Sequence, residues 1–162
     1  MVSSAVITVS DRCAAGVAPD RSGPNLVLAL TDAGHDVVTA MIPDGAGSVA
    51  AAVRQAIDDG ARLVITTGGT GVGPRDRTPE GTRQVIDREL PGVAELLRAG
   101  GMATSVHASL SRGVAGVVDT ADGRPGAFVV NLPGSPGAVR DAAPIVLALV
   151  DHVLAQLDGG DH

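Results

Sequence analysis

The chain contains no lysine; all 12 of its basic residues are arginines. Without lysine there is no Walker-type phosphate lysine, no Schiff-base enzyme and no kinase strand lysine. Cysteine occurs once, as Cys13, which excludes disulfides within the chain, Cys-rich zinc sites and CxxC redox chemistry. The histidines His35, His107, His152 and His162 show no HExxH or comparable ligand spacing, so a zinc enzyme is not expected and they read as surface or packing residues. Phe128 is the sole aromatic residue and the formal net charge is −6, leaving neither a stacking platform nor the basic surface that nucleic-acid binding requires. Mean hydropathy is +0.26, but no apolar run approaches the ~20 residues of a bilayer span. Met1 to Ser10 carries no basic cluster and reads as a strand rather than an export signal. The expectation is a cytoplasmic protein that engages neither membrane nor nucleic acid.

What is present is a chain of 162 residues, the size of one domain over 1–162. Ala5 to Val9, Leu63 to Thr66 and Ala127 to Val130 are short, β-branched, continuously apolar runs, the pattern of strands buried on both faces. Asp36 to Ile42 is another strand, and Val114 to Val118 is a fifth candidate, turning at Asp122-Gly123. Between them lie helices: one through Leu26 to Leu30 closed by Ala33-Gly34, one capped by Ser48 and stopped by Gly60, and one opening at Thr78-Pro79 and carrying Val85 and Ile86. A further helix covers Val93 to Arg98 and extends toward His107. Ser135-Pro136 repeats the cap-plus-proline start, an apolar helix runs from Ile145 to Leu157, and the tail from Asp158 is expected to fray. Alternation of strands and helices predicts an α/β fold with a mostly parallel central sheet and helices on both faces.

Open parallel sheets bind ligands beyond the carboxyl ends of their strands. Ser10-Asp11, Asp44, the loop Gly68-Gly69-Thr70-Gly71 with Asp76, and Asn131 to Ser135 all fall at such ends. The glycine loop is neither GxxxxGK nor GxGxxG, but glycines after a buried strand let backbone N–H groups approach a phosphate or a flat base. Asp44 and Asp76, each just past a strand, can cap the next helix or hold Mg²⁺ together with substrate phosphates. Arg12, Arg21, Arg75, Arg77 and Arg112 lie in or beside these loops. Arg75, between Pro74 and Asp76, is the best phosphate contact among them. Pro133-Gly134-Ser135 lacks the first glycine of a nucleophile elbow, so Ser135 reads as a cap whose hydroxyl and neighbouring N–H groups face ligand.

Taken in order, Thr8-Val9-Ser10-Asp11, Asp20-Arg21-Ser22-Gly23, Pro43-Asp44, Thr67-Gly68-Gly69-Thr70-Gly71 with Pro74-Arg75-Asp76, Thr78-Pro79-Glu80, Leu110-Ser111-Arg112 and Asn131-Leu132-Pro133-Gly134-Ser135-Pro136 form a specific set. From Ala5 to Leu157 the chain resembles the MogA/MoaB family of molybdenum cofactor biosynthesis proteins, related to the gephyrin G domain. The resemblance implies a three-layer α/β fold, a homotrimer, and transfer of AMP from Mg·ATP to the terminal phosphate of molybdopterin with release of pyrophosphate. The product would then go to a molybdenum insertion protein. It implies essential roles for Asp44 and Asp76 and nucleotide contacts from Gly68 to Gly71 and Pro133 to Ser135. Ser10, Asp11, Ser22, Ser111 and Arg112 would hold the pterin phosphate and ring. Gly81 departs from the alanine of many relatives and should weaken its helix slightly. Two alternatives stand beside this expectation: a MoaB-type protein that binds pterin or nucleotide without transferring, and a nucleotide hydrolase like the CinA-related domain, which shares a Thr-Gly-Gly loop.

Overall fold

In a computed structural model, residues 1–121 and 123–160 are described. Their elements are β1 (Ser3–Val9), a one-turn helix α1 (Asp11–Ala14), α2 (Gly23–Asp32), β2 (Asp36–Ile42), α3 (Ala46–Asp58), β3 (Leu63–Thr67), α4 (Thr78–Arg83), β4 (Arg88–Glu89), α5 (Pro91–Met102), a 3-10 turn (Val106–Leu110), β5 (Ala115–Val118), β6 (Ala127–Leu132) and α6 (Pro136–Leu157). The sheet order is β2-β1-β3-β6-β5-β4. The first four strands in that order run parallel, while β5 is antiparallel to β6 and β4 to β5.

Apolar residues on successive positions supply both faces. Val6, Leu63, Ile65, Phe128 and Val130 pack with Leu26 and Leu30 of α2 and Val139, Val146 and Val150 of α6. Ala5, Ile7, Val64 and Val129 point the other way, against Val49 and Val53 of α3. Side chains alternate across a strand, so a strand apolar at every position needs a helical layer on each side. This is the expected three-layer α/β arrangement. The edge strand β2 departs from the buried pattern, with Val38 and Met41 exposed.

Several local expectations change. Ser48 does not cap α3, whose N-cap is Gly45; its hydroxyl donates back to the carbonyls of Pro43 and Gly45. Thr78 is the first residue of α4 rather than its cap, and its hydroxyl donates to the Gly68 carbonyl at 2.8 Å. Val85 and Ile86 lie beyond α4, which ends at Arg83. The segment toward His107 is not one helix: α5 stops at Met102 and the 3-10 turn starts anew at Val106, with Ser105 as its cap. The last helix begins at Pro136 and runs without interruption through Pro144. Asp158 is not frayed, since Arg62 donates to both of its carboxylate oxygens, at 2.8 and 3.1 Å. The turn expected at Asp122 and any role of His162 lie outside the described residues.

Gly81 also reads differently in three dimensions. A Cβ there would lie 2.5 Å from the Ala46 carbonyl oxygen and 2.8 Å from the Val49 Cβ. The missing side chain therefore lets α4 sit directly on α3, an approach an alanine would obstruct.

Candidate functional site

The parallel register brings four strand ends to one edge. Val9 pairs with Ile42, Thr8 with Thr67, and Thr67 with Leu132, so the segments after β1, β2, β3 and β6 leave the sheet side by side. The turn after β3 is held against its neighbours on both sides. Gly68 (φ +106°) packs so closely that a Cβ would meet the Val9 carbonyl, and Gly69 (φ +65°) has its open side against the Thr78 hydroxyl. Backbone in the left-handed region with no space for a Cβ accounts for both glycines.

Asp44 and Asp76 flank this turn. A Cβ on Gly69 would lie 3.1 Å from Asp44 Oδ1, and one on Gly71 would lie 2.8 Å from Asp76 Oδ2. Neither carboxylate caps the helix that follows it. Asp44 Oδ2 accepts from the Asp11 amide at 2.8 Å, while the Asp44 amide donates to Asp11 Oδ1 at 3.0 Å, a reciprocal pair joining the ends of β1 and β2. Asp76 Oδ2 accepts from the Gly73 amide at 2.9 Å and closes its own loop. In each aspartate the second oxygen, Oδ1, accepts no hydrogen bond from the described residues. That donor set fits Mg²⁺, which is held by one or two carboxylates plus substrate phosphates. Among the described residues no cluster of three or more acidic, histidine or cysteine side chains could hold a metal unaided.

Arg75 crosses the same edge. Its Nε donates to Asp11 Oδ2 at 3.0 Å, and its Nη2 donates to Asp11 Oδ1 at 3.1 Å and to the Asp44 carbonyl at 2.8 Å. The guanidinium holds the Asp11 carboxyl below its ordinary range, and the carboxylate in turn raises that of Arg75. Ser10 caps α1, accepting from the Cys13 amide at 3.2 Å.

Two expected ligand contacts are already engaged within the protein. Ser22 is buried, and its hydroxyl donates to Asp20 Oδ1 at 3.2 Å. Burial by itself raises the pKa of Asp20, but bonds from the Thr8 hydroxyl, the Gly23 and Ser22 amides and the Ser22 hydroxyl outweigh it and leave the carboxyl below its usual range. Arg112 braces the glycine turn from behind: its Nε donates to the Gly71 carbonyl at 2.8 Å and its Nη2 to the Asp76 carbonyl at 2.6 Å. The Arg112 Nη1 pairs with Glu80, and the backbone amide donates to the Thr70 carbonyl at 2.8 Å. The hydrogen bond from Arg112 lowers the pKa of Glu80.

The principal opening at this edge is a cleft of about 460 Å³, within the range of small-molecule sites. Gly68 to Gly71 and Asp76 form one wall, Pro133, Gly134, Ser135 and Asp141 another, and Ser105, His107, Leu110 and Ser111 the third. The amides of Gly69, Thr70 and Gly71, and of Gly134 and Gly137 beside the N-terminus of α6, donate to no other group among the described residues. Unspent amides on a turn and at a helix start suit a phosphate or other anion. Ser10, Asp11, Asp44 and Arg75 are not part of this lining. Ser111 lines the cleft as the resemblance implies, whereas Ser105, His107 and Leu110 of the same wall and Asp141 of α6 are given no site role by the sequence; Ser105 as a cap is the one local sign of a fresh turn there.

Behind the site, buried Asn131 ties three elements together. Its Nδ2 donates to Thr66 Oγ1 at 2.9 Å and Thr82 Oγ1 at 2.8 Å, and its Oδ1 accepts from the Val114 amide at 3.2 Å.

Fold and site define a three-layer α/β domain with its cleft at the carboxyl edge of a parallel sheet. The family described as a probable molybdopterin binding domain matches residues 5–152. The chain belongs to that family, the MogA/MoaB proteins of molybdenum cofactor biosynthesis. It is 42% identical over 162 residues to the molybdenum cofactor biosynthesis bifunctional protein of Synechococcus elongatus, covering 99% of this chain and 49% of that one. It is 38% identical over 151 residues to a molybdopterin adenylyltransferase of Pyrococcus furiosus, covering 92% of this chain and 87% of that protein. The structure of the molybdopterin biosynthesis Mog protein from Mycobacterium ulcerans superposes with a TM-score of 0.87 at 38% identity, over 97% of this chain and 99% of that one. The chain spans about half the length of the bifunctional relatives it matches. Among the described residues no helix is long and apolar enough to cross a membrane.

Proposed function

We propose that this chain is a molybdopterin adenylyltransferase, moving AMP from ATP to the terminal phosphate of molybdopterin. One observation carries the proposal: two turns whose amides donate to no described residue, at Gly69 to Gly71 and at Gly134 and Gly137, line a single cleft with Asp44 and Asp76 at the first of them. A relative named molybdopterin adenylyltransferase, matched over most of its length, supports the choice of reaction.

An oxygen of the pterin phosphate attacks the α-phosphorus of ATP. The bond from that phosphorus to the bridging oxygen of the β-phosphate breaks, and pyrophosphate leaves with the electron pair. No protein nucleophile is required. The chain's contribution is to align the two phosphates, since a correctly oriented pair reacts far faster than a free one. Amides fixed in the glycine turn supply dipoles that need no reorganisation as charge shifts. Asp44 and Asp76 would hold a divalent cation that offsets the charge of the triphosphate.

Purified protein incubated with molybdopterin, ATP and Mg²⁺ should release pyrophosphate in step with adenylylated pterin. Asp76→Asn should lower that rate about 100-fold or more while changing ATP affinity much less, because a neutral amide replaces a charged ligand oxygen. Pyrophosphate release that is independent of pterin would replace this proposal with a hydrolase, and ligand binding with no turnover would replace it with a binding protein.

A further inference from the structure

The glycine turn has a direction, and two residues behind it impose that direction. The carbonyls of Gly68, Gly69, Thr70 and Gly71 are all tied to Thr78 or Arg112. The Thr78 hydroxyl donates to the Gly68 carbonyl at 2.8 Å and the Thr78 amide to the Gly69 carbonyl at 3.0 Å. The Arg112 amide donates to the Thr70 carbonyl at 2.8 Å and the Arg112 Nε to the Gly71 carbonyl at 2.8 Å. Thr78 is buried, and neither residue lines the cleft, so the carbonyls are drawn to the side away from it. In a planar trans peptide the C=O and the following N–H point in opposite directions. The amides of Gly69, Thr70 and Gly71 are therefore turned onto the side where the turn lines the cleft.

These four peptides are not equally secure. The one between Gly68 and Gly69 is flanked by glycine on both sides, so no Cβ resists its rotation. Its carbonyl is held by the Thr78 hydroxyl alone, and its amide has no partner among the described residues. Turned over, this peptide would present a carbonyl oxygen to an anion in place of the Gly69 N–H. The hydroxyl has a firm anchorage, because α4 is seated on α3 at Gly81, where a Cβ would lie 2.5 Å from the Ala46 carbonyl oxygen.

We propose that Thr78 is a positioning residue for the reaction: its hydroxyl locks the Gly68–Gly69 peptide so that the Gly69 amide meets a phosphate alongside those of Thr70 and Gly71. The assignment rests on the proposed transfer for the nature of the anion. Thr78 acts only through the turn and touches no reacting atom.

The test adds inorganic triphosphate, without metal or pterin, to isotopically labelled protein and follows the backbone amide resonances. In the wild type those of Gly69, Thr70 and Gly71 should shift together. Thr78→Val keeps the shape and the main-chain amide of the residue but removes the hydroxyl. It should weaken triphosphate at least about tenfold, the loss of one charge-assisted hydrogen bond. At saturation the Gly71 resonance, whose peptide Arg112 still holds, should shift as before, whereas that of Gly69 should not. Thr78→Ser restores a hydroxyl and should return both the Gly69 shift and the affinity, to within about threefold. Should the valine variant not fold, Thr78→Ala removes the same hydroxyl and is read in the same way. A Gly69 resonance that triphosphate leaves unmoved in the wild type overturns the assignment with no variant needed. So does a hydroxyl-free variant in which all three resonances respond as in the wild type, or in which all three fall silent together as a loosened cleft would make them. The transfer assay on wild-type protein is read separately. Transfer with a silent Gly69 sinks the role of Thr78 alone, and a Gly69 response that depends on the hydroxyl, in a protein that does not transfer, supports the lock while sinking the adenylyl chemistry.

Discussion

The resemblance to known relatives makes Arg112 a ligand contact, whereas its geometry makes it a brace, and Arg112→Met separates the two. The substitution keeps an apolar stem of similar reach and removes the guanidinium. What is lost is the bond to the Gly71 carbonyl at 2.8 Å, the bond to the Asp76 carbonyl at 2.6 Å and the pairing with Glu80. The two carbonyl bonds contribute about 1 kcal/mol each. The side chains of Arg112 and Glu80 are 35% and 34% exposed, so their ion pair adds less than about 1 kcal/mol after solvent screening. The expected destabilisation is about 2–3 kcal/mol, and with a urea dependence of about 2 kcal/mol per molar the midpoint should fall by about 1 M. Circular dichroism is the suitable probe, because there is no tryptophan or tyrosine to report unfolding. Transfer should fall more steeply than stability, since a turn displaced by about 1 Å misaligns reacting phosphates at a cost of up to about 100-fold. A variant with an unchanged midpoint and weakened pterin affinity would refute the brace and return Arg112 to ligand contact.

Three further outcomes follow from packing and charge. Gly81→Ala should destabilise by about 1–3 kcal/mol in urea unfolding despite the better helix propensity of alanine, because its Cβ meets the Ala46 carbonyl at 2.5 Å; a more stable variant would show that α4 can move off α3. Asn131→Ala should cost about 3 kcal/mol by leaving the Val114 amide and two threonine hydroxyls without their buried partner, and a loss under about 1 kcal/mol would show that water replaces it. Burial lowers the pKa of His35, which Asp151 partly counteracts. The unfolded chain therefore takes up a proton that the folded chain resists, so this contribution is complete above about pH 6.5 and declines as pH falls toward the folded value. His35→Gln should flatten the fall in urea midpoint between about pH 6.5 and 5, and an identical slope would place the titration elsewhere.

The strands were legible because burial on both faces leaves a local mark: Val6 and Ile7, Leu63 and Val64, and Phe128 and Val129 are adjacent apolar pairs that serve opposite layers. Polar residues at loop starts were less legible. Thr78 and Ser48 have the chemistry of helix caps, yet both hydroxyls found carbonyl acceptors elsewhere, Thr78 across the fold at Gly68. Asp44 likewise does not cap the helix beside it and instead bonds the Asp11 amide, 33 positions earlier. Asp141 left no sign in the sequence, since one acid on a helix becomes notable only when a cavity is found at its side.

By itself the sequence determined the order of the main strands and helices, though not α1, β4 or the break after α5, together with the burial of the parallel strands and the kinship of the chain, because periodicity and ordered motifs are properties of neighbouring positions. Only the tertiary structure decided which polar groups remain free for a ligand. Ser22 and Arg112 are occupied by Asp20, Glu80 and the turn carbonyls, whereas Asp141 and the amides of Gly69 to Gly71 are unspent. Hydrogen-bonding capacity is a residue property, but whether it is already used depends on which distant loops the sheet brings together.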